Sequence, residues 1–340
     1  MFSKYPILSS NNITQNPFII NIEDKEEYSI EEYQKIQEEL EKKNVDSIVE
    51  SLYSHDNRFI DLSEFQRRIS RGFKQKIIDV SNNLLPTKNL YKIGNGGNGK
   101  NCIVSCTALT QNQRGNETDN SRHLAQKKIV SSLIENGYNG YVYLITGGFP
   151  NPSGVEIKYA GVPYCFKIFT MLEAHKKGFD KIIWVDAVCI AANNPQPLFD
   201  ILYEQDTLIS SINEDNNYKV MAFDKTVQLL NEVTGVAMHF DTYYIETIVF
   251  GLNFASTVIK NIVKEYYEMV ELGWPFFSVF PEEIVLSALF NKPEYKILLD
   301  SDKEKYKSNK SKLKISEQRM SKEDATKNGF YFYQIDYSKK

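Results

Sequence analysis

From Gly94 to Cys189 the chain repeats one pattern: an apolar run of strand length, a segment of helical spacing, and another apolar run, joined by short connections. CIVSCTAL (Cys102–Leu109) and YVYLIT (Tyr141–Thr146) are near-continuous apolar runs, as strands buried on both faces require. Between them, Ser121–Asn136 carries Leu124, Ile129, Leu133 and Ile134 at helical spacing and stops at Gly137. Pro163–Lys177 reads as a second helix, stopped by Gly178, and KIIWVDAVC (Lys181–Cys189) as a third buried strand. Strands alternating with helices over short loops build a parallel sheet with right-handed crossovers, and such a sheet takes ligands beyond the carboxyl ends of its strands. The fold class is therefore α/β, and the search for function narrows to one rim.

The flanking regions are organised differently. Residues 1–95 read as a polar helical extension, with a capping box at Ser29 and Glu32 opening one helix and a second running from Ser63 to Val80. The α/β body is expected over 98–300. Its second half holds strands near Val220–Phe223 and Thr247–Asn253, a long helix from Ala255 to Leu272 and a shorter one from Pro281 to Asn291. Residues 301–340 divide into a Lys-, Ser- and Glu-rich segment, read as a loop or exposed helix, and an aromatic run, GFYFYQIDY, that is apolar enough to return to the body.

Composition removes several function classes. A net charge of −4 with interleaved acids and bases supplies no basic field, so nucleic acid is not an expected partner. No segment is apolar enough to span a bilayer, because Ile245–Val263 contains Glu246, Asn253, Lys260 and Asn261, and the N-terminus lacks the apolar core of a signal peptide. A cytoplasmic location is expected. The four cysteines, Cys102, Cys106, Cys165 and Cys189, all lie in or near apolar segments, so they read as core in a reducing compartment rather than as a disulfide framework. Cys102 and Cys106 have the spacing of a metal pair, but CIVSC reads better as a strand with small buried side chains.

Two stretches compete as nucleotide sites. Gly94–Lys100 matches GxxxxGK, the phosphate-cradling loop of many NTPases. That loop must open a helix whose amides face the phosphates. Here Asn101 stands where a Ser or Thr would hold magnesium, and a strand follows. The second stretch, Tyr164–Leu202, places Lys167 on a helix and Asp186 at the end of a buried strand, where a parallel sheet presents its ligand. Position alone leaves two readings: Asp186 contacts ribose, metal or acceptor while Lys167 neutralises a diphosphate, or Asp186 caps a turn and Lys167 is solvated.

The run from Lys167 through Phe199 resembles the central segment of GT-A-fold glycosyltransferases. In that family an aromatic residue and a Lys precede a helix, a strand ends in an Asp-bearing motif, and a loop of the form of Asn194, Pro195, Pro197, Leu198, Phe199 and Asp200 follows. GLNFAS (Gly251–Ser256) and PEEIVLSALFNK (Pro281–Lys292) extend the resemblance in the family's order over roughly 200 residues, the scale of one large domain. It implies a Rossmann-like domain with a mixed, mostly parallel sheet, a nucleotide-sugar donor such as a UDP-sugar, transfer to a hydroxyl of a glycan or protein, and a manganese or magnesium ion on the diphosphate. One position departs from the family: Asp-x-Asp becomes Asp186, Ala187, Val188, and Val188 cannot ligate a metal. Asp186 is then the metal ligand with a residue from elsewhere, or basic side chains such as Lys167 replace the ion, or activity has been lost.

For the implied reaction, Asp186 and Lys167 suit the donor side, and Glu246, Glu282 and Glu283 are the acceptor-side carboxylates from which a general base would come. Glu282 and Glu283 also open a helix, where carboxylates stabilise the dipole whatever else they do. Asp241 is a further acidic candidate. Sheet topology puts the nucleotide near Thr107 and Ala108, with Arg122 in reach of the diphosphate. The competing classes are an inactive scaffold of the same fold and, far behind, a P-loop NTPase.

Overall fold

The computed structural model describes residues 29–42, 87–107, 121–212, 222–237, 243–278, 280–299, 314–317 and 320–334. The Ser63–Val80 helix, Ala108, Asp241 and residues 301–313 lie outside them, as do the side chains of Arg122 and Leu124. In the N-terminal region the capping box forms as its spacing predicts: the Ser29 amide donates to Glu32 at 2.8 Å and the Glu32 amide to Ser29 Oγ at 3.2 Å, opening helix α1 (Ile30–Glu41).

The body is a six-stranded mixed sheet with helices on both faces. Its strands are β1 (Thr87–Ile93), β2 (Asn101–Thr107), β3 (Gly140–Thr146), β4 (Lys181–Val185), β6 (Thr207–Ile212) and β7 (Tyr244–Asn253), in the order β1-β3-β2-β4-β7-β6. The three strands read from the alternating pattern, β3, β2 and β4, form the parallel centre. β1 and β7 flank them antiparallel, and β6 pairs antiparallel with β7, so four of the six strands run one way. Helix α2 (Ser121–Glu135) crosses from β2 to β3, and α3 (Phe166–Lys176) leads into β4. Further along the body come helices α4 (Gln196–Glu204), α5 (Asp224–Thr234), α6 (Thr257–Leu272) and α7 (Pro281–Phe290).

Alternation along the strands splits the core between the two faces. On one face Val104, Tyr143 and Trp184 pack with Phe169 of α3, Ile262 of α6 and Ile284 of α7. On the other, Ile103, Val142 and Ile183 pack with Leu133 of α2 and with Leu198, Phe199 and Leu202 of α4. The segment Asn194–Asp200, read as a loop, mostly enters α4. Pro197 sits in its first turn, where a missing N–H costs nothing, and three fully buried apolar side chains at roughly 1.5–3 kcal/mol each outweigh its polar composition.

Three further readings change. The run Lys181–Cys189 is two strands: β4 ends at Val185, the chain turns with the Cys189 amide on the Asp186 carbonyl at 2.8 Å, and β5 (Cys189–Ala191) joins a second sheet with β8 (Ser316–Glu317) and β9 (Phe332–Gln334). The aromatic tail thus returns to the body as expected, behind an exposed helix α8 (Lys322–Lys327). Within the stretch assigned to the helical extension, Thr87–Ile93 forms an edge strand, whose TKNLYKI sequence lacks a buried face to announce it. No strand forms at Ala222 and Phe223; Ala222 makes only an isolated bridge to Ser278. All four cysteines are buried and unpaired by disulfides, and burial pushes the Cys102 and Cys106 thiols up, so both are packing groups.

Gly94–Lys100 connects β1 to β2, so a strand stands on each side of it. The amides of Gly96 and Gly97 donate to Asn139 Oδ1 at 3.1 and 3.0 Å. Gly97 has φ +57°, and a Cβ there would lie 2.6 Å from the Asn139 backbone oxygen. Lys100 reaches the Gly178 carbonyl at 3.1 Å and Asp180 at 3.3 Å. Both the amides and the lysine that a phosphate would need are turned to the protein's own groups.

Candidate active site

At the carboxyl end of β4 the polypeptide gathers four of the charged groups singled out from the sequence. α3 supplies Lys167, the β4 end Asp186, and the first turn of α7 Glu282 and Glu283. The ammonium of Lys167 is buried and lies 3.0 Å from Asp186 Oδ1 and 2.7 Å from Glu282 Oε1. Its other hydrogen-bond acceptors among the described residues are the carbonyl and Oγ1 of Thr247 on β7, both at 3.1 Å. Thr247 in turn donates its amide to Glu283 Oε1 at 3.0 Å, and its hydroxyl stands 2.8 Å from Glu282 Oε1. Tyr244 Oη donates to the other oxygen of Glu283.

Chain alternation makes this meeting possible. Ile182, Trp184 and Asp186 point to the face that α3 and α7 cover, so the acid ending the strand meets the lysine of the helix preceding it. The Trp184 indole N–H donates to Asp186 Oδ1 at 2.8 Å, tying the carboxylate to the core. Tyr164, just ahead of α3, holds φ +61°, a left-handed backbone rare for a large side chain, and its ring lies 6.0 Å from the ammonium.

The charge balance is unequal: three carboxylates surround one ammonium. Burial alone draws the Lys167 pKa down, but Asp186, Glu282 and Glu283 outweigh it and hold the ammonium above the ordinary lysine value. Burial, and then the charge of Glu282, push the Glu283 carboxyl up to about 7, against the pull of Lys167, the Thr247 amide and the Tyr244 hydroxyl. A proton on Glu283 reduces the excess negative charge in a place where charge is costly.

Asp186 is the cluster's outlet. Its side chain is 28% exposed against 5% for Lys167 and 6% for Glu282. Oδ1 is engaged twice, whereas Oδ2 has no hydrogen-bond partner among the described residues. Glu246 precedes Thr247 on β7 and accepts from Ser210 Oγ of β6 at 3.0 Å, and its charge also acts on Tyr244, the donor to Glu283. Thr107, at the end of β2, is buried, with its hydroxyl 3.4 Å from Gln126 Oε1 and accepting from the Gly147 amide at 3.3 Å. Arg122 is the second residue of α2, on the connection leaving β2. Sequence reading missed Thr247, which offers no signal beyond being a hydroxyl in an apolar strand.

For a divalent ion the described residues offer Asp186 Oδ2. Val188 has no ligand atom, and no group of three His, Cys, Asp or Glu side chains among the described residues is arranged to hold a metal. By themselves they do not fit a resident ion.

No protein-family model and no curated protein matches the chain. Among solved structures, it is similar to mouse xyloside xylosyltransferase 1 in its apo form, with a TM-score of 0.38 and 10% identity over 71% of this chain and 99% of that one. It is also similar to galactosyltransferase LgtC in complex with donor and acceptor sugar analogs, with a TM-score of 0.28 and 14% identity over 54% of this chain and 71% of that one. Both neighbours are glycosyltransferases by name. No described helix is long and apolar enough to cross a membrane.

Proposed function

We propose that this protein transfers a sugar from a nucleotide-sugar donor, a UDP-sugar, to a hydroxyl of a glycan or protein acceptor, with Asp186 at the donor. The observation carrying this reading is the half-buried Asp186 at the carboxyl end of β4, one of the three parallel strands, with one oxygen fixed by Lys167 and Trp184 and the other without a partner among the described residues. An acceptor-only oxygen held rigidly in that position suits the hydroxyls of a ribose or hexose, each of which offers a proton. The carboxylate's charge also suits a sugar carbon that becomes positive as the diphosphate leaves.

In this reading Lys167 holds Asp186 and does not itself neutralise the diphosphate, because its protons are directed to Asp186, Glu282 and Thr247. Glu282 and Glu283 balance the lysine from behind and are too enclosed to take a proton from an acceptor. Glu246 is engaged by Ser210 of β6. The acceptor-side base is thus sought outside this cluster, with Asp241 the first acid to test.

Val188, at the position of the family's second carboxylate, supports a second reading in which the donor is bound without transfer. The test is release of UDP from UDP-glucose, UDP-galactose and UDP-xylose over a glycan and peptide acceptor panel, with and without manganese. The enzyme reading predicts acceptor-dependent release, lost in Asp186→Asn. Binding without release under every condition identifies the scaffold.

A further inference from the structure

Thr247 bonds to Lys167, Glu282 and Glu283 at once, and nothing in its sequence context marks it for that task. It is fully buried on β7, just past the point where β4 gives out. The last β4–β7 pair is Val185 with Val249, and the Asp186 amide then reaches the Ile248 carbonyl at 2.9 Å. Beyond this the β4 side of the ladder ends, and the buried backbone groups of Thr247 need other partners. They take charged ones: Lys167 donates to its carbonyl, and its amide donates to Glu283.

The strand is irregular at this point. Leu208 pairs with Gly251 and Ser210 with Glu246, so two steps along β6 span five along β7. Ile248 and Val249 consequently both pack on the α2 and α4 side, whereas Ile245 and Phe250 pack on the α3 and α7 side. Irregularities of this kind re-aim side chains beside sites. Here the effect is that the carbonyl and hydroxyl of Thr247 meet the same ammonium. The hydroxyl has one proton and two carboxylates in reach, Glu282 Oε1 at 2.8 Å and Glu283 Oε1 at 3.3 Å, so it donates to the nearer and accepts from Lys167.

We infer that Thr247 is a positioning residue: by seating the ammonium of Lys167 between Glu282 and Asp186, it fixes the carboxylate that faces the donor. The inference rests on the donor-site reading of Asp186. Removing the hydroxyl takes away one of the four acceptors around the three protons of Lys167 and leaves Glu282 one donor short in a buried place, so the ammonium redistributes among the acceptors that remain. Asp186 Oδ1 then loses part of what holds it.

Thr247→Val keeps the volume and both backbone contacts and deletes only the hydroxyl; Thr247→Ser restores it. Two measurements on the full chain decide the matter. In calorimetric titrations with the UDP-sugars named above, Val weakens affinity about tenfold and Ser by less than about threefold, as for one hydrogen bond to a charged group. In proton–nitrogen correlation spectra, the buried ammonium of Lys167, assigned by its absence from Lys167→Arg, gives a protected signal. That signal persists in wild type and Ser and shifts or is lost to exchange in Val. Should Val fail to fold, Thr247→Cys provides the same comparison with a weakly bonding group. Unmoved Lys167 resonances in the variant lacking the hydroxyl overturn the inference, whatever happens to affinity. A moved resonance in a protein that binds none of the sugars refutes the donor reading and leaves the hold of Thr247 on Lys167 standing.

Discussion

Two regions of this molecule advertise nucleotide chemistry, and they differ in what their groups have left to give. Gly94–Lys100 has the glycines and lysine of a phosphate loop, yet its amides close on Asn139 and its lysine on Gly178 and Asp180. The end of β4 has Val188 two residues after Asp186 and so no second carboxylate there, yet it keeps one carboxylate oxygen of Asp186 without a partner among the described residues, beside a buried, hydrogen-bonded cluster. A motif names residue types. A site is decided by the valences that folding leaves unspent.

The comparison breaks first at Lys167. Lys167→Met removes the one ammonium among three carboxylates, and stability measured by urea denaturation is expected to fall by about 3–5 kcal/mol, the usual cost of orphaning buried charge. A loss below about 1 kcal/mol would mean that the carboxylates are hydrated and the cluster is not a dry, fixed platform.

The next effect is sensitive to pH. Folded Glu283 keeps its proton up to about 7, whereas an ordinary glutamate releases it near 4.5. Between those values the folded protein binds more protons than the unfolded chain. Stability from this group is therefore full below 4.5 and declines as pH rises to about 7, on the order of 1 kcal/mol per pH unit. Glu283→Gln, which carries no titrating proton, should flatten that decline in urea denaturation across the window. An unchanged slope would assign the proton elsewhere.

The smallest effect sharpens the contrast from the other side. Gly97→Ala adds a Cβ at φ +57°, 2.6 Å from the Asn139 oxygen, and should cost about 1–3 kcal/mol in stability while leaving donor affinity as it was. A change in UDP-sugar affinity would show that the glycine loop takes part in binding after all.

The parts legible in the sequence were those in which local pattern and burial agree. β2, β3 and β4 are apolar on both faces, and Lys167, Asp186 and Glu282 sit at helix and strand positions that the topology brings to one rim. Where tertiary context overrides pattern, the reading failed. β1 is mostly exposed and holds its place by pairing with β3, so no periodicity reveals it. The KIIWVDAVC run shows no break, because the turn at Asp186 comes from β5 leaving to pair with β9, about 140 residues away, farther than any local propensity reaches. Thr247 was invisible for a related reason: its role depends on β4 ending beside it and on β7 slipping register against β6.

The central claim is that Asp186 presents a fixed carboxylate to a nucleotide sugar. Its most direct test is calorimetric titration of the full chain with UDP-glucose, UDP-galactose and UDP-xylose, with and without manganese, beside Asp186→Asn. The account predicts saturable binding of at least one donor by the wild type and its loss in the variant, with cooperative unfolding preserved. Equal binding by both proteins, or binding of none of the three by the wild type, would contradict it.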